Sequence, residues 1–207
     1  MQKYFITSTG TEIGKTYFIC SLIKKLIAEK NTVKAIKPII TGLDFSELTN
    51  SDSAQILNSL GQKITKENIL NISPFYYNVA DSPDSAALIQ AKNYLNYNKI
   101  LDFCSSFLNN HNKDYALIEG IGGIMVPINQ HKTILNLIKD LNIEIILVIG
   151  NYLGSRSHSL NVIELCQLHN IKIHKIMLNN FPNDLTNAQN IQKSLTNFCA
   201  NQIDIFN

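Results

Sequence analysis

The sequence predicts a single α/β domain in which helices cover both faces of a mainly parallel central sheet. Apolar strand-like runs alternate with amphipathic helix-like runs, which is typical of parallel strands joined by helical crossovers. The run Ile145-Ile146-Leu147-Val148-Ile149 is continuously apolar, as expected of a strand buried on both faces. A length of 207 residues suits one domain, so we expect residues 1–207 to fold as one unit.

Each predicted strand is a short apolar run that ends beside polar or glycine residues. The strands cover residues 4–6, 33–36, 115–118, 145–149 and 173–178. Helical spacing of apolar residues runs from Phe18 to Ile27 and recurs later in the chain. The later helical segments are residues 53–60, 85–91, 100–108, 134–141, 160–169 and 188–198. Ligands of such sheets bind at the carboxyl ends of the strands, so we expect the functional residues just after each strand.

Composition and charge argue against several classes of protein. A hydrophobic content of 45% with 16% charged residues predicts a folded soluble protein. The net charge of +2 and the lack of a basic run argue against a nucleic-acid surface, and no apolar span of about 18 residues suggests a membrane segment. The first predicted strand begins at Tyr4, so we expect no signal peptide and a cytoplasmic protein. The four cysteines are widely spaced, which predicts buried thiols rather than metal ligands or disulfides.

The most informative segment joins the first strand to the first helix and reads Ser-Thr-Gly-Thr-Glu-Ile-Gly-Lys-Thr from residue 8 to residue 16. A glycine turn that leads into a helix N-terminus directs backbone N–H groups at an anion, and the helix dipole adds to the attraction. Lys15 is placed to reach the β- and γ-phosphates of a nucleotide, and the Thr16 hydroxyl to ligate Mg²⁺. The usual pattern requires glycine at position 9, where this chain has Thr9 followed by Gly10. The flanking strand and helix nevertheless favour a phosphate loop over an ordinary glycine turn, and predict a three-layer α/β/α P-loop fold.

Two candidate residues lie beyond the second predicted strand. Lys37 leaves that strand at the expected ligand edge, where it either faces the phosphate site or is a solvated lysine. Asp52 lies just before a helical pattern, and is either a helix N-cap or a metal ligand. Spacing alone does not separate these alternatives.

Glu119 follows the strand at residues 115–118 and precedes Gly120-Ile121-Gly122-Gly123. A carboxylate that emerges from a buried strand costs free energy unless it is paired or coordinated, and the glycines let the chain approach a ligand closely. We therefore predict that Glu119 ligates magnesium rather than serving as a surface acid.

Polar residues also follow the fourth and fifth predicted strands. Gly154, Ser155 and Ser157 open a helix, and they form either a second anion site or a simple helix cap. Arg156, the only arginine in the chain, adds a planar fork suited to a carboxylate. Asn179 ends the next strand, and its amide suits either the edge of a purine base or a turn.

Taken in order, five segments at predicted strand ends resemble those of dethiobiotin synthetases. They are Thr-Glu-Ile-Gly-Lys-Thr, Ile-Lys-Pro-Ile-Ile-Thr-Gly, Asn-Ser-Asp, Ile-Glu-Gly-Ile-Gly-Gly and Leu-Gly-Ser-Arg-Ser-His. The likeness spans about residues 3 to 180, and the joint match is far more specific than any single segment. It implies a homodimeric enzyme of biotin synthesis that converts 7,8-diaminononanoate, CO₂ and ATP into dethiobiotin, ADP and phosphate, with no nucleic-acid or membrane partner.

The resemblance also implies roles for particular residues. The phosphates would be held by Thr11, Glu12, Ile13, Gly14, Lys15 and Thr16, and the base would meet Asn179. Mg²⁺ would be held by Thr16, Asp52 and Glu119. Lys37 and Thr41 would face the diamine as its carbamate forms, and Lys15 and Lys37 would act in catalysis by neutralising charge. The substrate's distal carboxylate would be received across the dimer interface by Gly154, Ser155, Arg156 and Ser157.

Three features depart from the family pattern. Ser8 stands where the family usually opens its loop with glycine, and Thr41 stands where serine is expected. The tail after Asn180 is short and lacks the Gly/Pro-containing segment that helps the family grip adenine, so the sequence leaves ATP, GTP and other nucleotides open as substrates.

Other classes of nucleotide-binding protein remain as alternatives. A ParA/MinD-like partitioning switch would carry a second lysine early in the loop, where this chain has Thr9 and Gly10. Cobyrinic-acid amidating enzymes share a similar ATP domain but need an attached glutaminase module. A non-catalytic nucleotide-binding module would use the same loop, and turnover that depends on the diamine distinguishes it from a synthetase.

Overall fold

Six parallel strands form the central sheet in the part of the chain that the structure, a computed structural model, describes: residues 1–181 and 186–206. The strands are β1 Gln2–Ser8, β2 Val33–Ile36, β3 Ile39–Ile40, β4 Phe75–Tyr76, β5 Tyr115–Glu119, β6 Glu144–Gly150, β7 Ile173–Asn179 and β8 Ile203–Phe206. The order across the sheet is β2-β5-β1-β6-β7-β8, and β3 and β4 form a separate parallel pair. The predicted parallel sheet is therefore confirmed.

Eight α-helices connect the strands within the described residues. They are α1 Lys15–Ala28, α2 Asp52–Ser59, α3 Lys66–Ile72, α4 Pro83–Ile89, α5 Tyr97–Asn109, α6 Ile134–Leu141, α7 Ser155–Leu168 and α8 Ala188–Leu195. The helix predicted over residues 134–141 has the predicted bounds, whereas α7 begins five residues before the predicted start at 160. Sequence patterning missed α3 and the short strands β3, β4 and β8.

The core lies along the middle strands of the sheet. Ala116, Leu117 and Ile118 of β5 are fully buried, as are Phe5 and Ile6 of β1. β6 is buried from residue 145 to residue 150, in agreement with its continuous apolar sequence and with cover on both faces. This packing fixes the carboxyl ends of the strands relative to one another.

The strand order brings the predicted functional segments to one edge. β1 lies between β5 and β6, and all three are parallel, so their carboxyl ends share an edge. β2 pairs with β5 in a register that puts Ile36 opposite Ile118. The residues that follow, Lys37 and Glu119, therefore leave the sheet side by side.

Two further sequence expectations concern the cysteines and the membrane. Cys20, Cys104 and Cys166 are buried, and Cys199 is partly exposed; burial raises the pKa of the Cys104 and Cys166 thiols to about 12, which keeps them protonated and unreactive. Over residues 1–181 and 186–206, no helix has both the length and the apolar character needed to cross a bilayer.

We predict that Leu117→Ala lowers the free energy of unfolding by about 2–5 kcal/mol, because it removes a fully buried side chain from β5, an interior strand of the sheet, and leaves a cavity. Urea unfolding followed by circular dichroism measures the change. Leu88→Ala is the control, since Leu88 is 69% exposed. Equal effects of the two substitutions would contradict this location of the core.

Candidate active site

The loop at residues 8–16, here called the phosphate loop, connects β1 to α1. Gly14 is the N-cap of α1 and has a φ of 93°, a conformation that side chains other than glycine rarely adopt. A Cβ atom at this position would also lie 2.3 Å from Asn179 Nδ2. Asn179 Nδ2 in turn donates a hydrogen bond to the Ile13 carbonyl at 3.2 Å. Glycine is thus required where the loop turns into the helix.

Lys15 folds back over the phosphate loop. Its Nζ donates to Ser8 Oγ at 3.0 Å and to the Gly10 carbonyl at 3.2 Å. Burial and, to a smaller extent, the neighbouring Lys37 lower the pKa of Lys15 to about 8, against the opposing effects of Glu119 and Asp52. The ammonium is therefore held inside the loop by its own hydroxyl and carbonyl oxygens.

Lys37 forms a buried ion triad with two carboxylates. Its Nζ lies 2.7 Å from Glu119 Oε1 and 3.0 Å from Asp52 Oδ2. The side chain of Glu119 is fully buried and that of Asp52 is 41% exposed. Lys37 is therefore not the solvated lysine that the sequence left open.

The pKa values follow from this arrangement. Burial alone lowers the pKa of Lys37, but Glu119 and Asp52 outweigh it and raise that pKa well above its ordinary value. Burial raises the pKa of Asp52, but Lys37 outweighs it and leaves that pKa below its ordinary value. Both groups are therefore charged at neutral pH.

Glu119 has one satisfied oxygen and one unsatisfied oxygen. Oε1 accepts hydrogen bonds from Lys37 Nζ and from the Thr16 hydroxyl, the latter at 2.8 Å. Oε2 is buried and has no hydrogen-bond partner among the described residues. A buried carboxylate oxygen without a partner is unfavourable unless a ligand completes its shell.

Asp52 is the first residue of α2, but it is not the helix cap. Ser51 occupies the N-cap position, and its hydroxyl accepts a hydrogen bond from the Ala54 N–H. The Asp52 carboxylate instead turns towards Lys37. The helix-cap interpretation of Asp52 is therefore wrong, and the carboxylate belongs to the site.

A cleft of about 730 Å³ opens over the phosphate loop, and we call it the central cleft. Most of the residues predicted to bind nucleotide, metal or diamine line it: Thr11, Glu12, Gly14, Lys15, Thr16, Lys37, Thr41, Asp52 and Glu119. The fold thus brings predicted residues from four separate segments of the sequence to one cleft.

Ala80, Asp81 and Ser82 also line the central cleft, although the sequence did not predict them there. This segment is attached to the Thr41 turn, because the Gly42 N–H donates to the Val79 carbonyl at 2.9 Å. Ser82 is the N-cap of α4 and Pro83 follows it, a sequence signature of a helix start. That signature predicts the helix, but it does not reveal which part of the sheet edge the helix start approaches.

Other predicted site residues do not line the central cleft of the same chain. The side chain of Ile13 is buried in the core, so only its backbone is available to a ligand. Asn179 lies behind the loop, where its amide contacts the Ile13 carbonyl. Gly154, Arg156 and Ser157 are exposed at the start of α7, and Ser155 is buried beside them. One chain alone does not bring the 154–157 turn to the cleft.

Comparison with known proteins places this geometry in a wider class. A family profile described as an AAA domain matches residues 2–198. The MinD cell division protein of Aquifex aeolicus superposes with a TM-score of 0.57 at 15% identity, covering 100% of this chain and 82% of that chain. MinD of Pyrococcus horikoshii, in complex with Mg-ADP, superposes with a TM-score of 0.54 at 18% identity over 93% and 77%. At these identities the likeness shows the fold alone, and the fold is that of a P-loop nucleotide-binding protein.

Sequence relatives define the family more narrowly. The ATP-dependent dethiobiotin synthetase of Phenylobacterium zucineum is 33% identical over 86% of this chain and 76% of that protein. The enzyme of the same name from Methylobacterium nodulans is 30% identical over 94% and 88%. The chain belongs to the ATP-dependent dethiobiotin synthetase family, whose members are ligases of biotin synthesis that form C–N bonds. The resemblance, the fold class and the enzyme class expected from the sequence are confirmed.

We predict that Lys37→Met lowers the free energy of unfolding by roughly 3–5 kcal/mol, because it leaves the buried Glu119 carboxylate without its counter-charge. Adding Glu119→Gln to this variant restores part of the stability, since the amide carries no charge. Urea unfolding of the single and double variants measures both effects. The control is Lys25→Met, whose side chain is 72% exposed. No loss in Lys37→Met, or no recovery in the double variant, would contradict the triad.

Proposed function

We propose that this protein carboxylates 7,8-diaminononanoate with CO₂ and closes the ureido ring of dethiobiotin, converting ATP to ADP and phosphate. The observation that carries the proposal is the joint presence of Lys15, Lys37, Thr16, Asp52 and Glu119 around one cleft in a chain of this family. A phosphate loop alone would support nucleotide binding only. The buried carboxylates and the second lysine supply what phosphoryl transfer needs in addition.

The proposed nucleotide site is the phosphate loop. Backbone N–H groups of residues 11–16 and the N-terminus of α1 offer donors to the phosphates. The Lys15 ammonium adds a cation that is already held inside the loop. Asn179 is proposed to meet the base at the far side of the loop, next to Gly14.

The residues of the cleft fit a magnesium ion. The unsatisfied Glu119 Oε2, the Asp52 carboxylate and the Thr16 hydroxyl are the hard oxygen donors that Mg²⁺ prefers. No group of three or more His, Cys, Asp or Glu side chains in the described part of the chain is arranged to hold a metal ion by itself, and Mg²⁺ usually needs only one or two carboxylates beside substrate phosphates. When bound, the ion would neutralise charge on the phosphates.

The proposed chemistry requires positioning rather than a covalent enzyme intermediate. One amine attacks CO₂ and loses a proton to give a carbamate, whose oxygen attacks the γ-phosphorus as the bond to ADP breaks. The second amine then attacks the carbamoyl carbon, closes the ring and expels phosphate. Lys15 and Lys37 hold and neutralise the negative oxygens, and Thr41, which lines the same cleft, positions the carbamate.

A nucleotide-driven switch is the second candidate, and the fold alone does not separate it from a synthetase. Its support is the superposition on MinD, which at 15% identity concerns the fold only. The relatives at 30–33% identity favour the synthetase. A switch would hydrolyse nucleotide without the diamine, and the synthetase would not.

We further propose one catalytic domain over residues 1–207, a homodimer and a cytoplasmic location. The turn at residues 154–157 begins a 14-residue helix, and Leu153 beside it is 93% exposed. An exposed turn with Arg156 and a helix N-terminus suits an incoming carboxylate. In a homodimer this turn would serve the cleft of the partner chain.

The central experiment incubates the purified protein with Mg-ATP, bicarbonate and 7,8-diaminononanoate and detects dethiobiotin by mass spectrometry. We expect product only when all components are present, with ADP formed in equal amount. Replacing ATP by GTP tests nucleotide preference. ATP hydrolysis that does not respond to the diamine would reject the synthetase in favour of a switch.

We predict that Glu119→Gln raises the Mg²⁺ concentration needed for half-maximal turnover. The substitution weakens Mg²⁺-dependent turnover more than it weakens folding, which is measured by thermal unfolding. The reason is that Glu119 Oε2 is the buried oxygen left for a cation. Turnover is measured over a Mg²⁺ titration at fixed ATP. Glu144→Gln is the control, because Glu144 begins β6 at the opposite edge of the sheet. Equal activity of Glu119→Gln at limiting Mg²⁺ would remove Glu119 as a ligand.

We also predict that Arg156→Ala raises the KM for the diamine and leaves nucleotide affinity unchanged. Arg156 lies exposed in the first turn of α7, outside the central cleft of its own chain. Initial rates over a diamine series and nucleotide titration measure the two quantities. Lys24→Ala, on the exposed side of α1, controls for the loss of one surface charge. An unchanged KM for the diamine would reject a role for Arg156.

A further inference from the structure

Ser8, the last residue of β1, carries a fully buried hydroxyl at the entrance to the phosphate loop. Ser8 Oγ lies 2.6 Å from the Gly10 carbonyl and 3.1 Å from the Gly122 carbonyl, so its one hydrogen serves either acceptor. The same oxygen accepts hydrogen bonds from Lys15 Nζ at 3.0 Å and from the backbone nitrogen of Gly10 at 3.4 Å. Four polar groups of the loop region thus converge on one side-chain atom.

The hydroxyl joins two glycine loops. Gly10 lies in the phosphate loop, and Gly122 lies in the loop that follows β5. The backbones of these loops are in close contact, since a Cβ at Gly123 would lie 3.1 Å from the Gly10 nitrogen. The Ile124 N–H also donates to the Ser8 carbonyl at 3.1 Å. Ser8 therefore links the loops through both its backbone and its side chain.

The hydroxyl also determines where the Lys15 ammonium lies. A lysine ammonium has three N–H donors, and two of them are directed to Ser8 Oγ and the Gly10 carbonyl. Lys15 still lines the central cleft, so its third donor remains for a ligand there. Fixing a long side chain before the ligand arrives reduces the entropy lost on binding.

We propose that Ser8 is a positioning residue that holds the Lys15 ammonium ready for the terminal phosphates of the nucleotide. The inference rests on the proposed use of the phosphate loop by ATP. Ser8 acts through Lys15 and not by contact with the substrates. It explains how a loop that opens with serine instead of glycine places its lysine.

The test compares Ser8→Ala and Ser8→Gly, which both remove the hydroxyl, with the parent protein. We expect the Kd for Mg-ATP and the KM for ATP to rise about tenfold, as for the loss of a hydrogen bond to a charged group. The Kd for AMP, which has no terminal phosphates, and the KM for the diamine stay unchanged. Ser8→Thr, which keeps the hydroxyl, recovers ATP affinity. Using two variants without the hydroxyl separates its loss from a local packing defect.

Thr7→Val is the matched control. Thr7 is the neighbouring residue of β1 and is fully buried, and its hydroxyl has no hydrogen-bond partner among the described residues. Thr7→Val removes a buried hydroxyl of the same strand but no hydrogen bond to Lys15. We therefore expect ATP affinity to stay at the parent value. Thermal unfolding confirms that the variants are folded under assay conditions.

Two results would overturn the proposal. Unchanged ATP affinity in both Ser8→Ala and Ser8→Gly would show that Lys15 does not need the hydroxyl. Tighter ATP binding would show that the hydroxyl competes with phosphate for the ammonium. Nucleotide titration needs no diamine, so its results do not depend on the synthetase assay. Failure to form dethiobiotin would reject the proposed reaction, whereas the role of Ser8 is decided by nucleotide affinity alone.

Discussion

A fully buried carboxylate, Glu119, is the constraint on which the site depends. Burying a carboxylate is costly unless an opposite charge and hydrogen bonds compensate. Lys37, which follows β2, provides the opposite charge and a hydrogen bond to Glu119 Oε1. Thr16, at the start of α1, donates a second hydrogen bond to the same oxygen. Because Ile36 pairs with Ile118, Lys37 and Glu119 leave neighbouring strands side by side. The register of the sheet therefore creates the ion pair, and the hydrogen bond from Thr16 to the same carboxylate holds the first turn of α1 beside it.

This constraint gives the two lysines of the cleft different roles. Lys37 is neutralised by Glu119 and Asp52, whereas Lys15 is held by the uncharged oxygens of Ser8 and Gly10. Because the direct hydrogen-bond acceptors of Lys15 are neutral, no carboxylate is in contact with its ammonium, which favours an incoming anion. Lys15 is therefore the better suited of the two lysines to the proposed contact with phosphate oxygens. Lys37 is better suited to a group bound beside the carboxylates in the central cleft, which Thr41 also lines.

Sequence patterning succeeded where a residue follows directly from a strand or a helix. Lys37 and Glu119 could be predicted because apolar runs locate the strand ends, and parallel strands bring those ends to one edge. The place of residues 80–82 in the cleft could not be predicted, because it depends on β3 and β4, two-residue strands that are too short for a periodic signal. The hydrogen bond from Ser8 to the loop after β5 was equally hidden, since its partner Gly122 is 114 positions away. Local patterns identify elements, but contacts between distant loops follow only from the packed structure.

The charges of the central cleft also bear on how a carboxylate substrate is recognised. Among the described residues that line it, the cationic side chains are Lys15 and Lys37, and both are directed towards oxygens of the protein. Asp52, Asp81 and Glu119 line the same space and would repel a further carboxylate. The amine end of the diamine suits such a cleft, but its distal carboxylate does not. The carboxylate is better served by Arg156 and the N-terminus of α7, which one chain does not bring to its own cleft. This separation of charges supports the proposed homodimer, in which each cleft binds the amines and the partner chain binds the carboxylate.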